Sequence, residues 1–186
     1  MSADPDKCQA APVTSPEPDF GVSMIVNTAV AIAPTLTVMR GVPGSGKSTL
    51  AKVLANVPGV DPAPVFSTDD LFMVDGEYRF DGSKLGAHHA ANLDRTVEAM
   101  EGGIPHVIVD NTMTQAWEAR EYVKAALQRG YRVQFVEPHT PWARDAVECA
   151  RLNTHGVPLP AIQGMLSRWE ADLTVEGCLA AKAPWE

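Results

Sequence analysis

Eight consecutive residues, Gly41-Val42-Pro43-Gly44-Ser45-Gly46-Lys47-Ser48, carry the spacing G-x-x-x-x-G-K-[ST], and the chemistry that this spacing serves is the holding of a polyphosphate. Glycines let successive backbone N–H groups turn inward onto phosphate oxygens, and a helix that starts at the lysine adds its positive end. Lys47 has the length and charge to reach β- and γ-phosphates, Ser48 offers a hydroxyl to Mg²⁺, and Thr49 continues the first helical turn. Two carboxylate clusters follow. In Ser67-Thr68-Asp69-Asp70, Asp69 is the candidate general base, able to accept the proton of an attacking hydroxyl and align its oxygen, while Asp70 is read as a helix cap. In Val109-Asp110-Asn111-Thr112, Asp110 is the candidate metal ligand, direct or through water, and Asn111 and Thr112 are candidate hydrogen-bond partners of an acceptor.

These side chains need a scaffold that brings strand ends together. Thr35–Met39 reads as a short buried strand leading into the glycine-rich turn, and Ser48 to about Asn56 as the helix after it. Further strands are predicted at 64–67, 106–109 and 131–136. Helices are predicted at 83–101, stopped by Gly102-Gly103, and at 115–129, stopped by Gly130, with Trp117, Tyr122, Ala125 and Ala126 as core candidates. Thr140-Pro141 has the form of a capping hydroxyl with proline in the first turn, predicting a helix from there to about Asn153. A last helix runs from about Leu159 or Pro160 to about Leu173. Strands alternating with helices of this length predict an α/β fold, an open parallel sheet with helices on both faces and right-handed crossovers, whose ligands sit at the carboxyl ends of the strands.

Composition narrows the function classes. At 186 residues and 45% apolar, the chain is long enough for one domain with a real core. A net charge of −8 excludes a protein that coats nucleic acid through many basic residues. Cys8, Cys149 and Cys178 are odd in number and unpaired in spacing, as in a reducing cytosol. Residues 1–34 read as a proline-punctuated, weakly structured tail, in which 24–33 is open between strand, helix and tail; the body that carries the cradle spans 35–175, and 176–186 is expected as a second tail. The apolar run 24–33 is too short to span a bilayer and lies beside acidic residues, so a cytoplasmic protein without membrane contact is expected.

With the cradle at 41–49, Ser67-Thr68-Asp69-Asp70, Ala87-His88, Val107-Ile-Val-Asp-Asn-Thr112, Trp117-Glu118, Val136-Glu137-Pro138 with Thr140 and Trp142, Asn153-Thr-His-Gly-Val-Pro158, and Met165 with Arg168 in this order, the chain resembles the polynucleotide-kinase branch of P-loop kinases over about residues 35–170. The resemblance implies a three-layer P-loop NTPase sandwich with a central, mostly parallel sheet and a helical lid. It also implies ATP- and Mg²⁺-dependent transfer to a hydroxyl, with Asp69 as general base and Lys47 and Ser48 as phosphate and metal contacts. Arg151 is the candidate lid arginine over the γ-phosphate. Two positions depart from the phage enzyme's pattern. Leu71-Phe72-Met73 stands where that pattern has an acceptor-binding arginine, and Leu152 directly precedes Asn153.

The acceptor implied is a nucleic acid or nucleotide, the 5′-hydroxyl end first. A hydroxymethylated base in phage DNA, a small-molecule hydroxyl, and a non-enzymatic nucleotide switch stand as alternatives. Phe72, Tyr78 and Phe80 lie where an acceptor approaches and are read as core or as stacking residues; His88 is a candidate pocket residue. The five histidines show no metal-ligand spacing.

Overall fold

The computed structural model describes residues 33–186. In chain order its elements are β1 (Thr35–Met39), α1 (Lys47–Ala55), β2 (Val65–Phe66), β3 (Met73–Val74), β4 (Glu77–Tyr78), α2 (Leu85–Glu101), β5 (His106–Asp110), α3 (Ala116–Gln128), β6 (Arg132–Val136), α4 (Ala146–Leu152), α5 (Leu159–Ser167) and α6 (Val175–Ala180). Four strands pair in parallel in the order β2-β5-β1-β6, and β3 and β4 form a separate antiparallel hairpin. Val38 lies in register with Val109 and Phe135, and Phe66 with Val109, so these four residues make one row across the sheet. Whatever follows that row leaves the sheet on one edge.

Both faces of the sheet are covered, which is why β5 carries the unbroken apolar run Val107-Ile108-Val109. Leu36, Val38, Val107 and Val109 pack against Ala119, Tyr122, Val123 and Ala126 of α3 and Ala99 and Met100 of α2. Met39 and Ile108 pack on the opposite side against Ala51 and Ala55 of α1. A third cluster lies above the glycine-rich turn, where Val42 meets Cys149 of α4 and Ile162 of α5. Thr37, fully buried in the sheet, meets its polar need through Gln134 Nε2 at 2.6 Å and His106 Nε2 at 2.8 Å.

Three boundaries differ from the sequence expectation. The helix expected from Thr140 begins at Ala146, with the Asp145 carboxylate accepting the Val147 and Glu148 N–H groups; Pro141–Arg144 are turn. The last lid helix ends at Ser167, short of Leu173. Within the expected tail 176–186, α6 packs on α3 with Cys178 fully buried, and Arg120 donates to Ala181 O at 2.9 Å and pairs with Glu186 at 2.6 Å. Leu173, Val175 and Ala181 flank the buried Cys178 thiol in the cluster that α3 lines, a pattern too short to register as periodicity. Of the described cysteines, Cys149 and Cys178 are both free thiols, and burial pushes Cys178 up to about 11. The expectations for residues 1–32, and for Cys8, lie outside the described residues. Among the described residues no helix is long and apolar enough to cross a membrane.

Candidate active site

The turn between β1 and α1 has a shape only glycine allows. Gly44 and Gly46 have φ of 82° and 96°, and a Cβ on Gly44 would lie 2.1 Å from the Cys149 carbonyl oxygen. The turn's outward carbonyls are occupied: Thr140 Oγ1 donates to Ser45 O at 2.9 Å and Trp142 Nε1 to Gly44 O at 3.2 Å. Thr140 thus braces the cradle instead of capping a helix. No side chain caps α1, and the buried Ser45 hydroxyl has no partner within the protein. A helix N-terminus with uncapped N–H groups beside an orphaned buried hydroxyl is matched by an anion. Gly44→Ala therefore drives a methyl into backbone at a strained φ. A loss of about 2–4 kcal/mol, read from the urea midpoint, is expected together with loss of nucleotide binding.

Lys47 and Asp110 meet beneath this turn. Lys47 Nζ donates to Asp110 Oδ1, and the two residues are only 8% and 5% exposed. Asp110 ends β5, one residue after the row that contains Val38, so the register of the sheet delivers it under the cradle. Ser48 and Thr49 are exposed at the start of α1.

Asp69 and Asp70 separate by role. Ser67 Oγ accepts the Asp69 N–H and Asp70 Oδ2 accepts the Ser67 N–H, both at 3.2 Å, a reciprocal cap on the 3-10 turn Thr68–Phe72. That leaves the Asp69 carboxylate out of the capping. Its Oδ1 accepts the Tyr78 hydroxyl at 3.0 Å, and its Oδ2 stands 3.9 Å from Nε2 of His155, in the loop between α4 and α5. Burial, then the Asp69 charge, push the Tyr78 phenol above its ordinary value, so it remains a donor at neutral pH.

A buried polar network fixes this segment against β5. Asn111 Oδ1 accepts the Thr68 N–H at 3.0 Å, while Asn111 and Asn92 both donate to the Tyr122 hydroxyl, at 3.3 and 3.1 Å. Arg95 donates to Ser67 O and to Asn92. Asn111 therefore spends its carboxamide inside the protein, tying two strand ends together.

Arg151 lies on the exposed face of α4, bonded through Nε and Nη2 to Glu148 one turn earlier, at 3.0 and 2.7 Å. The residue that sequence reading passed over is Arg40. Almost fully buried, it donates to Met113 O at 3.0 Å and Glu170 O at 2.6 Å, pairs with Glu137 at 2.6 Å, and lies 4.5 Å from the ring centroid of Trp169. A charged residue at the end of an apolar strand, just before the glycine turn, was the available signal.

Residues 36–170 match a family model described as an AAA domain. The chain belongs to this AAA-domain family. Human NEDD4-binding protein 2 is 41% identical to this AAA-domain chain over 151 residues, and rat YLP motif-containing protein 1 is 27% identical over 158. These alignments cover 80% and 73% of the chain but 8% and 11% of the relatives. Among solved structures, the Pnkp1/Rnl/Hen1 RNA repair complex contains a chain that superposes with a TM-score of 0.56 at 18% identity, covering 73% of this chain and 44% of that one. A gluconokinase from Sinorhizobium meliloti 1021 superposes with a TM-score of 0.50 at 20% identity, covering 74% and 75%. The polynucleotide-kinase-like P-loop architecture read from the motifs is thus the fold of the AAA-domain chain.

Proposed function

We propose that this chain is an ATP-dependent kinase that moves the γ-phosphate, with Mg²⁺, onto a hydroxyl of a nucleic acid or nucleotide, a 5′-hydroxyl end first. The observation that carries this reading is the Asp69 carboxylate. It is spared from capping, oriented by Tyr78, and held at the same sheet edge as Lys47 and Asp110. A nucleotide switch has no need for a carboxylate so placed, whereas transfer to an alcohol needs one to accept its proton and align the oxygen.

The cradle fits a polyphosphate, with the uncapped first turn of α1 and the orphaned Ser45 hydroxyl as its receiving groups. Lys47 balances charge on the β- and γ-oxygens, and the Arg151 guanidinium would have to leave Glu148 to do the same from above. Among the described residues no group of three or more His, Cys, Asp or Glu could hold a metal ion. The fit is therefore to a cation that takes few protein ligands, here Ser48 and Asp110, with phosphate and water as the rest, as Mg²⁺ does. Held there by Ser48 and Asp110, Mg²⁺ would supply neutralisation of charge that opposes the incoming oxygen. An open, mostly apolar surface groove beside α1, lined by Thr49, Leu50, Val53, Pro138, Thr140 and Trp142, is the face offered to the adenine ring.

The test is transfer of label from γ-³²P-ATP with Mg²⁺ to 5′-hydroxyl DNA and RNA oligonucleotides, duplex DNA containing 5-hydroxymethyluracil, and free nucleosides. Label on the oligonucleotides is expected. Label confined to the modified duplex or to nucleosides moves the acceptor, and tight ATP binding without label on any of them removes the nucleic-acid or nucleotide acceptor in favour of a small-molecule hydroxyl or a switch.

A further inference from the structure

The hairpin that follows Asp69 carries features that the transfer step alone does not use. Phe80 is 60% exposed, and Met73 and Val74 are 48% and 43% exposed on the same segment, an apolar surface at the mouth of the site. Phe80 rests on buried Phe72, ring centroids 5.1 Å apart, and Phe72 in turn lies 6.0 Å from Tyr78 and 4.3 Å from His88. Tyr78 has its hydroxyl on Asp69 and its ring 4.3 Å from that of His155. A run of aromatic rings thus leads from solvent to the candidate base.

The charge of the same segment is of the wrong sign for gripping phosphates. Residues 69–84 contain five carboxylates (Asp69, Asp70, Asp75, Glu77, Asp81) and two cations, Arg79 and Lys84. Arg79 pairs with Glu77 at 2.9 Å and Lys84 stands 3.9 Å from Asp81, while Arg95 lies 3.8 Å from Asp70. A groove that follows a phosphate backbone needs uncommitted cations, and binding by counterion release would be opposed here. Stacking of a ring needs only an exposed, rigidly backed aromatic face, which Phe80 on Phe72 supplies.

We propose that this hairpin is the acceptor's specificity element: it takes the ring of the hydroxyl-bearing nucleoside unit by stacking on Phe80, leaving the hydroxyl at Asp69, and makes little use of the phosphates beyond that unit. The proposal rests on the kinase reading for the role of Asp69. The geometry of Tyr78 itself, hydroxyl on the carboxylate and ring directed back along the aromatic run, is the arrangement that a ring-bearing alcohol would adopt.

The test uses the full chain and a 3′-fluorescein oligonucleotide with a 5′-hydroxyl end, compared by anisotropy with the same probe lacking the base of its 5′ residue. Loss of the base is expected to weaken binding about tenfold or more, the scale of one base–aromatic stack. Phe80→Ala should cause the same loss and leave nothing further to be lost on removing the base, while Phe80→Trp retains base dependence. Phe80 is 60% exposed, so Phe80→Ala should shift the urea midpoint only slightly, by the loss of its one ring contact with Phe72, and Phe80→Trp less still. Affinity should change only a few-fold between about 0.05 and 0.2 M salt, where a protein making many phosphate contacts loses roughly 10³ or more. Equal affinity with and without the base, no binding of either probe, or that steep salt dependence overturns the proposal. Label transfer measured on the same probes separates the two readings. Equal transfer to both keeps the kinase and removes the stacking site; base-dependent binding without transfer does the reverse.

Discussion

Asp69→Asn is expected to lower phosphoryl transfer by about 10²–10⁴ in kcat, the range that a positioned general base contributes, with nucleotide affinity unchanged. The substitution is nearly isosteric, and the asparagine carbonyl still accepts from the Tyr78 hydroxyl that now bonds Oδ1 at 3.0 Å. Only proton acceptance is removed, so the loss reads chemistry and not folding. Asp70→Asn is its control. That carboxylate accepts the Ser67 N–H at 3.2 Å in the capping box, and an amide oxygen can keep the bond; little change in transfer is expected. Full transfer by Asp69→Asn in a γ-³²P assay would remove Asp69 from its role and leave the carboxylate as a holder of the hairpin.

Lys47→Met is expected to abolish nucleotide binding and also to destabilise the protein by about 3–5 kcal/mol, since it leaves a 5% exposed Asp110 without its cation. For a chain of this length that corresponds to a fall of roughly 10 °C in Tm. The two effects come apart in the double variant with Asp110→Asn. Neutralising both partners removes the uncompensated buried charge, so thermal stability recovers while titration with ATP still shows no binding. Recovery of binding in the double variant would show that Lys47 serves the fold and not the phosphates.

The site was legible where its chemistry is local. The cradle, Lys47 and Ser48 lie within one strand–turn–helix unit, Asp110 directly follows the apolar run 107–109, and Asp69 stands just past the short strand at 64–67, so each could be named from spacing. Asn111 was legible as a polar group at the site and not in its use, because its partners, Thr68 and Tyr122, lie 43 positions before it and 11 after it. Thr140-Pro141 has the local form of a helix start, yet the Thr140 hydroxyl is taken by Ser45 O, 95 positions away, and Asp145 caps the helix in its place. A tertiary hydrogen bond outcompeted a capping preference worth about 1 kcal/mol. Arg151 goes the other way: a carboxylate three residues away on the same helix, Glu148, takes the guanidinium.

By itself the sequence determined the kind of protein: strand period, glycine spacing and carboxylates after apolar runs specify a phosphate cradle on a parallel sheet, because those signals depend on neighbours along the chain. Only the tertiary structure decided which side chains meet the Asp69 carboxylate, Tyr78 and His155, and that Arg40 ties the segment after α5 to the base of the cradle. Those outcomes depend on which donors and acceptors are brought within about 3 Å of each other by packing, and the spacing of residues along a chain carries no record of that distance.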